Sequence, residues 1–272
     1  MQKSDLYDYG FGDVWRDVHV TGREGYHTSV VNYHKHSFYE LNLILSGNVR
    51  ILLEGRSEQG CENRLVLTRP HTPHYISCRP DMLYRRLYLL FTEESVAGLP
   101  EWPALSAVFG ERGAVLTLTA AQTEELQGLM ARIKEESSLF RRRMLIYFLL
   151  SRVAELTDRD VPHANGTPAY ILKALAYLEE HYAERVVAAD LAKRLNVSRT
   201  TLMTEFKRYT DSTLVEYLTQ CRVKHAVALL REGRTQEDVA ERCGFSDASG
   251  LVRCFKRCHG QTPRQYLLQS KK

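Results

Sequence analysis

The spacing of apolar residues divides the chain into a strand-rich first part and a helical remainder. Between Thr28 and Phe91, short apolar runs alternate with turn residues such as Gly47, Gly55 and Pro70. Runs of this kind predict antiparallel strands that form a sandwich or a small barrel. The lead-in before Thr28 is expected to contain an edge strand. We expect the further strands over residues 29–33, 41–45, 49–53, 65–67 and 83–91.

Farther along the chain, the period of the apolar residues lengthens to that of a helix. Thr119 and Gln122 form a capping-box pattern that predicts a helix over residues 120–136. A second helix is expected over residues 138–156, and apolar residues nearly encircle it. Its surface must therefore be covered by the barrel or by a second protomer. Residues 157–167 are polar, contain proline and glycine, and are typical of a linker.

The C-terminal part contains one pattern of short helix, turn and basic helix twice, over residues 192–206 and 240–255. In the second copy, Thr235 is expected to cap the short helix and Gly244 to end it in the left-handed conformation. The form is that of a helix-turn-helix unit, whose second helix enters the major groove of DNA. The sequence therefore predicts two helix-turn-helix units joined by a helical connector.

These motifs resemble the AraC/XylS family of bacterial transcription regulators over residues 167–269. The matching positions are Arg222, Ala226, Leu229, Leu230, Gly244, Phe245, Ser246, Asp247, Phe255, Lys256, Gly260, Thr262, Pro263 and Tyr266. The resemblance implies binding to double-stranded DNA, a small-molecule effector, a homodimer formed by the helices after the barrel, and RNA polymerase as a further partner. Asp211, Val187 and Gly250 depart from the family pattern, which has glycine, a polar cap and a larger residue there.

The apolar residues of each basic helix lie on one side and are expected to be buried. The other side of the helix is therefore expected to face DNA. The predicted DNA-binding residues are Ser198, Arg199, Thr200, Met203, Thr204, Lys207, Ser249, Gly250, Arg253 and Lys256. Arg253 is the sharpest candidate for reading a base, because a guanidinium binds the O6 and N7 edge of guanine with two hydrogen bonds. The alternative for each position is an ordinary solvated side chain.

The strand-rich part also contains candidate ligand residues. His34, His36 and Glu40 are separated by even numbers of residues, so an extended strand would point all three into the barrel interior, where His74 would join them. This segment resembles the first cupin motif, and the stretch ending at His74 resembles a shortened second one. Three imidazoles and a carboxylate form a set that holds Zn, Fe, Mn or Ni. Three interpretations are open: a divalent transition metal, a metal-free effector bound by the same residues, and structural histidines.

The positively charged residues are unevenly distributed along the chain. Of 37 Lys and Arg and 33 Asp and Glu, residues 168–272 hold 18 and 12, which leaves 19 and 21 for the rest of the chain. The basic surplus therefore lies with the helix-turn-helix units. A surplus of this size is by itself typical of an ordinary solvated surface, and it is the duplicated helix-turn-helix pattern that favours a nucleic-acid partner. Six cysteines give no dense disulfide framework. With no apolar run of signal-peptide or membrane-span length, we expect a cytoplasmic protein without a membrane partner.

The sequence thus predicts an α+β multidomain protein. A cupin-like antiparallel β-barrel is expected over residues 1–118, a helical dimerisation segment over 119–156, a linker over 157–167 and an all-α double helix-turn-helix domain over 168–272. The expected function is a non-enzymatic transcription regulator, such as an activator, that responds to a sugar-like or other metabolite in the barrel. The alternatives are a metal-dependent cupin enzyme or metal sensor fused to a DNA-binding domain, and a DNA-binding protein whose barrel only dimerises.

Overall fold

We describe the protein from a computed structural model. The description covers residues 18–25, 33–53, 56–60, 62–78, 83–96, 98, 101–157 and 167–269. Most of the strand predicted over 29–33 and of the linker predicted over 157–167 lies outside these residues. Among the helices of these ranges, none combines the length and the hydropathy that crossing a membrane requires.

The N-terminal part consists of two antiparallel sheets, which together we call the barrel. Their strands are β1 (Val18–Gly25), β2 (Tyr39–Ser46), β3 (Val49–Leu53), β4 (Arg56–Gly60), β5 (Arg64–Thr68), β6 (His74–Cys78), β7 (Tyr84–Phe91) and β8 (Ala114–Thr117). The larger sheet has the order β1-β7-β2-β5-β8, and the smaller sheet has the order β4-β3-β6. The predicted edge strand is β1. The strands β4, β6 and β8 were not predicted, because β4 and β6 lack a clear apolar run and β8 has only four residues.

The larger sheet is buried on both faces. Leu41 packs with the helices that follow the barrel, whereas Ile44 packs with Ile51 in a cluster between the two sheets. Since side chains alternate along a strand, Glu40 and Asn42 lie on the same face as Ile44 and point between the sheets. The polar groups of β2 are therefore inside the barrel, and its odd-numbered leucines attach the helices to it.

One short helix lies between β7 and β8, and the other helices follow the barrel in the chain. They are α1 (Trp102–Ser106), α2 (Ala120–Glu135), α3 (Leu139–Thr157), α4 (Ala169–Glu180), α5 (Ala188–Arg194), α6 (Arg199–Thr210), α7 (Leu214–Arg231), α8 (Gln236–Arg242), α9 (Ala248–His259) and α10 (Pro263–Gln269). The predicted capping box of α2 is confirmed: the Thr119 hydroxyl accepts from the Gln122 N–H, and the Gln122 side chain accepts from the Thr119 N–H. One face of α3 is buried through Ile146, Leu149 and Val153.

The predicted repeat is confirmed as two helix-turn-helix units. The first unit consists of α5 and α6, the second of α8 and α9, and α7 is their shared connector. Tyr217 of α7 is buried in the core of the first unit and Ala226 in the core of the second. Gly244 ends α8 with φ +72°, and a Cβ there would lie 2.3 Å from the Ala183 carbonyl oxygen, so only glycine fits. The fold class predicted from the sequence is therefore confirmed.

Candidate functional site

Three histidines and one glutamate converge inside the barrel. One ring nitrogen each from His34, His36 and His74 lies within 4.8 Å of the other two. Oε2 of Glu40 lies 3.0 Å from Nε2 of His36 and 3.6 Å from Nε2 of His74. All four residues are at least nine-tenths buried. The structure therefore brings together the four residues that the sequence proposed as one site.

The local backbone at this site differs from the expected long strand. The strand β2 begins at Tyr39, so His34 and His36 precede it instead of sharing its face. His34 is held by an isolated antiparallel bridge to His74, in which each N–H donates to the other's carbonyl oxygen at 3.0 and 2.8 Å. The ring of His36 stacks on Phe38 with 3.9 Å between ring centres. The backbone bridge and the bend before β2 thus bring the histidines to Glu40, which the even spacing of one long strand was expected to do.

Backbone carbonyl groups determine which ring nitrogens carry hydrogen. Nδ1 of His36 lies 2.9 Å from the Phe38 carbonyl oxygen, and Nδ1 of His74 lies 2.9 Å from that of Thr72. A carbonyl oxygen only accepts, so both Nδ1 atoms are donors, and both rings turn Nε2 toward the carboxylate of Glu40. A ring whose Nδ1 is held by the backbone while its Nε2 faces a shared point has the arrangement of a metal-ligating histidine.

The charge states fit this arrangement. Burial lowers the pKa of His36, although the hydrogen bond to Glu40 opposes the shift. Burial alone would raise the pKa of Glu40, but its contacts with His36 and His74 outweigh burial and hold that pKa well below its usual range. Nε2 of His36 and Oε2 of Glu40, 3.0 Å apart, match two ligands bound to one ion at about 2.1 Å and roughly at right angles. The donor set therefore fits a divalent transition metal.

Further polar groups lie beside this set and were missed in the sequence. Asn42 donates from Nδ2 to Oε1 of Glu40 at 3.0 Å, and the guanidinium of Arg86 lies 4.1 Å from the ring centre of Tyr88. Oδ1 of Asn42, the Thr68 hydroxyl and the Tyr88 hydroxyl are buried without a hydrogen-bond partner among the residues described. Even spacing from Glu40 was a signal for Asn42, because side chains two residues apart share one face of a strand, but no alternation of polarity marked the others. The barrel interior therefore extends the site with groups that a polar ligand could satisfy.

The predicted DNA-binding residues of the first unit lie on one exposed face. Leu202 and Phe206 are fully buried on the other side of α6. Ser198 is the N-cap residue, and its hydroxyl accepts from the Thr201 N–H at 3.0 Å. The exposed members of the predicted set are Ser198, Arg199, Thr200, Met203, Thr204 and Lys207.

The second unit differs from the expectation at Gly250. Ser249, Arg253 and Lys256 are exposed, as expected for a DNA-facing surface. Gly250 is instead buried in the first turn of α9, where its N–H donates to Oδ1 of Asp247 at 2.6 Å. Its N–H faces the capping side chain and the residue itself is buried, so Gly250 does not lie on the outward face. The prediction that it lies there as a DNA contact is corrected.

Comparison with known proteins gives matches to both parts of the chain. Residues 18–149 match the model of an AraC-like ligand binding domain, and residues 191–269 match a helix-turn-helix domain. The HTH-type transcriptional activator RhaR of an Enterobacter species is 27% identical, with 100% of this chain and 97% of RhaR covered. An uncharacterized response regulatory protein of Staphylococcus epidermidis is 30% identical over 47% of this chain, which spans only 54% of that relative. ToxT from Vibrio cholerae aligns structurally with a TM-score of 0.41 and 13% identity, covering 93% of this chain and 98% of ToxT.

The exposed faces of the two units predict different consequences for two substitutions. Arg253→Ala should relax the preference at one base position by about 1–3 kcal/mol, because a bidentate contact to a base is lost. Lys207→Ala should weaken binding to all sequences alike and lower the salt slope by about one, because a phosphate contact is lost. Fluorescence anisotropy with selected and random duplexes at several salt concentrations measures both effects.

Arg208→Ala is the matched control for these two variants. It removes an exposed basic side chain of the same α6 helix that is bonded to Glu205. We expect Arg208→Ala to change base preference less than Arg253→Ala does, and to change the salt slope less than Lys207→Ala does. Equal losses on selected and random DNA for both Arg253→Ala and Lys207→Ala would contradict the assignment.

Proposed function

Because the chain belongs to the AraC family of transcription regulators, with an N-terminal ligand-binding domain and a helix-turn-helix DNA-binding domain, we propose that ligand binding inside the barrel controls its binding to DNA. The convergence of His34, His36, Glu40 and His74 is the observation that supports this proposal. The four residues are buried in one domain, and the exposed basic helices lie in another. The domain bounds 1–118, 119–156, 157–167 and 168–272 are part of the same proposal.

The first ligand that the site favours is a divalent transition metal ion. His34, His36, His74 and Glu40 would hold it, and the ion would supply positive charge to a site whose own fixed charge is negative. The chain's residues prepare the site, since Phe38 and Thr72 orient two of the rings through their carbonyl groups. The ion then needs no rearrangement of ring tautomers on binding.

A polar metabolite is the second candidate ligand. The unsatisfied polar atoms of Asn42, Thr68 and Tyr88 favour it, because a buried group without a hydrogen bond costs about 1–3 kcal/mol that a bound ligand could recover. A metal ion and a metabolite can also occupy neighbouring parts of the same interior. A metal-dependent enzyme would use the same four ligands, but the two helix-turn-helix units and the activator RhaR favour regulation over catalysis.

We propose a homodimer formed through α3. Its outer face carries exposed apolar side chains at Leu139, Phe140, Met144 and Phe148, and three of them are spaced by four residues along one stripe. The buried face of the same helix is already covered by the barrel side of the chain. A second copy of α3 is therefore the proposed cover, and RNA polymerase is proposed as a partner of the DNA-bound dimer.

Metal binding to the full chain tests the proposed ligand. The wild type should bind about one equivalent of Zn²⁺ or Mn²⁺ per chain, and Glu40→Gln or His36→Ala should weaken binding by about tenfold or more, since each removes one ligand. His71→Ala is the control, because His71 is exposed and stands outside the set. Equal metal binding by the wild type and both ligand variants, measured by competition with a chelating dye, would overturn the metal assignment.

Sedimentation of the full chain tests the dimer. Phe140→Lys should shift the chain toward the monomer, because Phe140 is 70% exposed and a charge there would be buried in the proposed contact. Val215→Lys is the control, since Val215 is equally exposed at 71% but lies on α7. A dimer of unchanged affinity in Phe140→Lys would contradict this interface.

A further inference from the structure

The residues beside the metal-site histidines form the contact between the barrel and the first helix-turn-helix unit. Tyr33 precedes His34, and Tyr75 follows His74 in β6. The bridge between His34 and His74 is extended backbone, in which neighbouring side chains point to opposite sides. The histidines therefore point into the barrel, while the two tyrosines are buried in the core of the first unit.

Two hydrogen bonds join these tyrosines to the first unit. The Tyr33 N–H donates to the hydroxyl oxygen of Tyr217 at 2.6 Å, and the Tyr75 hydroxyl donates to the carbonyl oxygen of Thr210 at 3.0 Å. The rings of Tyr75 and Tyr217 lie 5.9 Å apart and are nearly perpendicular. Thr210 is the last residue of α6, so the barrel holds the C-terminal end of a helix whose opposite face is assigned to DNA.

A bidentate ion pair completes what we call the docking contact: Tyr33, Tyr75 and Arg50 against Tyr217, Thr210 and Asp211. Nε and Nη2 of Arg50 donate to the two carboxylate oxygens of Asp211 at 2.8 and 3.1 Å. Asp211 has φ +57°, a left-handed conformation that favours glycine. Its carboxylate explains why aspartate stands there, because glycine could not bind Arg50.

Arg50 supplies one positive charge to this region, and Lys224 of α7 supplies another. The Lys224 side chain is buried and bonded to Glu179 at 2.6 Å. Lys224 lies about two helical turns after Tyr217 on α7, so its charge is on the helical side of the docking contact. A divalent ion held by the histidines would add positive charge on the barrel side of the same contact. It would also fix the rings of His34 and His74, whose neighbours Tyr33 and Tyr75 share their backbone.

We propose that the docking contact transmits occupancy of the histidine site to the first helix-turn-helix unit: a bound cation weakens docking and releases α6 for DNA. This inference rests on the proposed function, since it assigns the regulation of the same site. The DNA-facing side chains of α6 stay exposed in the docked form, so docking does not cover them. Docking instead holds the C-terminal end of α6 against the barrel. Placing both helix-turn-helix units on one DNA site would require that contact to be loosened.

Three variants of the full chain test the proposal. Asp211→Gly removes the carboxylate and suits the left-handed backbone, Tyr75→Phe removes one hydroxyl and keeps the ring, and Arg50→Ala removes the other half of the ion pair. The Kd for a duplex selected by the wild type is measured with a chelator and with Zn²⁺. Zn²⁺ should tighten wild-type binding by about fivefold or more, and the metal-free variants should already have the Kd of the loaded wild type.

Glu125→Gln is the matched control. Glu125 of α2 makes a similar two-bonded pair with Arg152 of α3, away from the docking contact, at 2.7 and 3.2 Å. It should keep the wild-type Kd in both conditions. Loss of the Zn²⁺ response in this control to the same degree as in Asp211→Gly would overturn the proposal.

The outcomes separate this proposal from the metal assignment. If the wild type binds Zn²⁺ and its DNA affinity does not change, the docking contact transmits nothing and the proposal fails. If the wild type binds no metal, the metal assignment fails. The DNA affinities of the variants and the wild type, compared without metal, then still test the docking proposal. In that case, unchanged DNA affinity in Asp211→Gly and Tyr75→Phe overturns the docking proposal, and severalfold tighter binding supports it.

Discussion

The short antiparallel bridge between His34 and His74 is the interaction on which the rest of the arrangement depends. Its two backbone hydrogen bonds, of 3.0 and 2.8 Å, align two segments that are forty residues apart in the sequence. The bridge brings two imidazoles to Glu40 on one side. On its other side, it presents Tyr33 and Tyr75 to the first helix-turn-helix unit. One element of backbone geometry thus serves both a ligand site and a contact between domains.

The burial of Glu40 determines which groups must surround it. Glu40 is 2% exposed, and an ionised carboxylate in such a place requires hydrogen bonds or a positive charge. Asn42 satisfies one oxygen, and the histidines face the other. On the proposed metal binding, a cation would complete the compensation, and its charge would act on the docked helices nearby. The burial that favours a cation in this site would then also make the docking contact sensitive to it.

The repeat could be predicted because its two copies share one pattern of residues, and the caps and the pairing of His36 with Glu40 could be predicted because each depends on residues close in the sequence. Thr119 and Gln122 specify a helix start at a separation of three, and Gly244 specifies a turn by its own conformational freedom. His36 and Glu40 were paired correctly, although a bend brings them together and not a continuous strand. Gly250 was misassigned because its role depends on which residue caps the helix, and Asp247 supplies that cap.

The docking contact could not be predicted, because its partners are separated by up to 184 residues and no local period relates them. Asp211 stood out only as a departure from a family pattern, and its partner Arg50 was an ordinary basic residue on a strand. The interior polar groups Asn42 and Arg86 were hidden for a different reason. They stand among apolar residues of strands that are buried on both faces. Such strands show no regular alternation of polar and apolar residues, so nothing in the sequence marked which side chains face the barrel interior.

Hydrogen exchange at the backbone amide of Tyr33 tests the central claim most directly. This amide donates to the Tyr217 hydroxyl at 2.6 Å, so its protection reports docking and requires no DNA. The docked arrangement predicts slow exchange in the metal-free wild type, faster exchange when Zn²⁺ is bound, and fast exchange in Tyr217→Phe with or without the metal. Exchange at Tyr33 that is the same in all four samples would contradict the account.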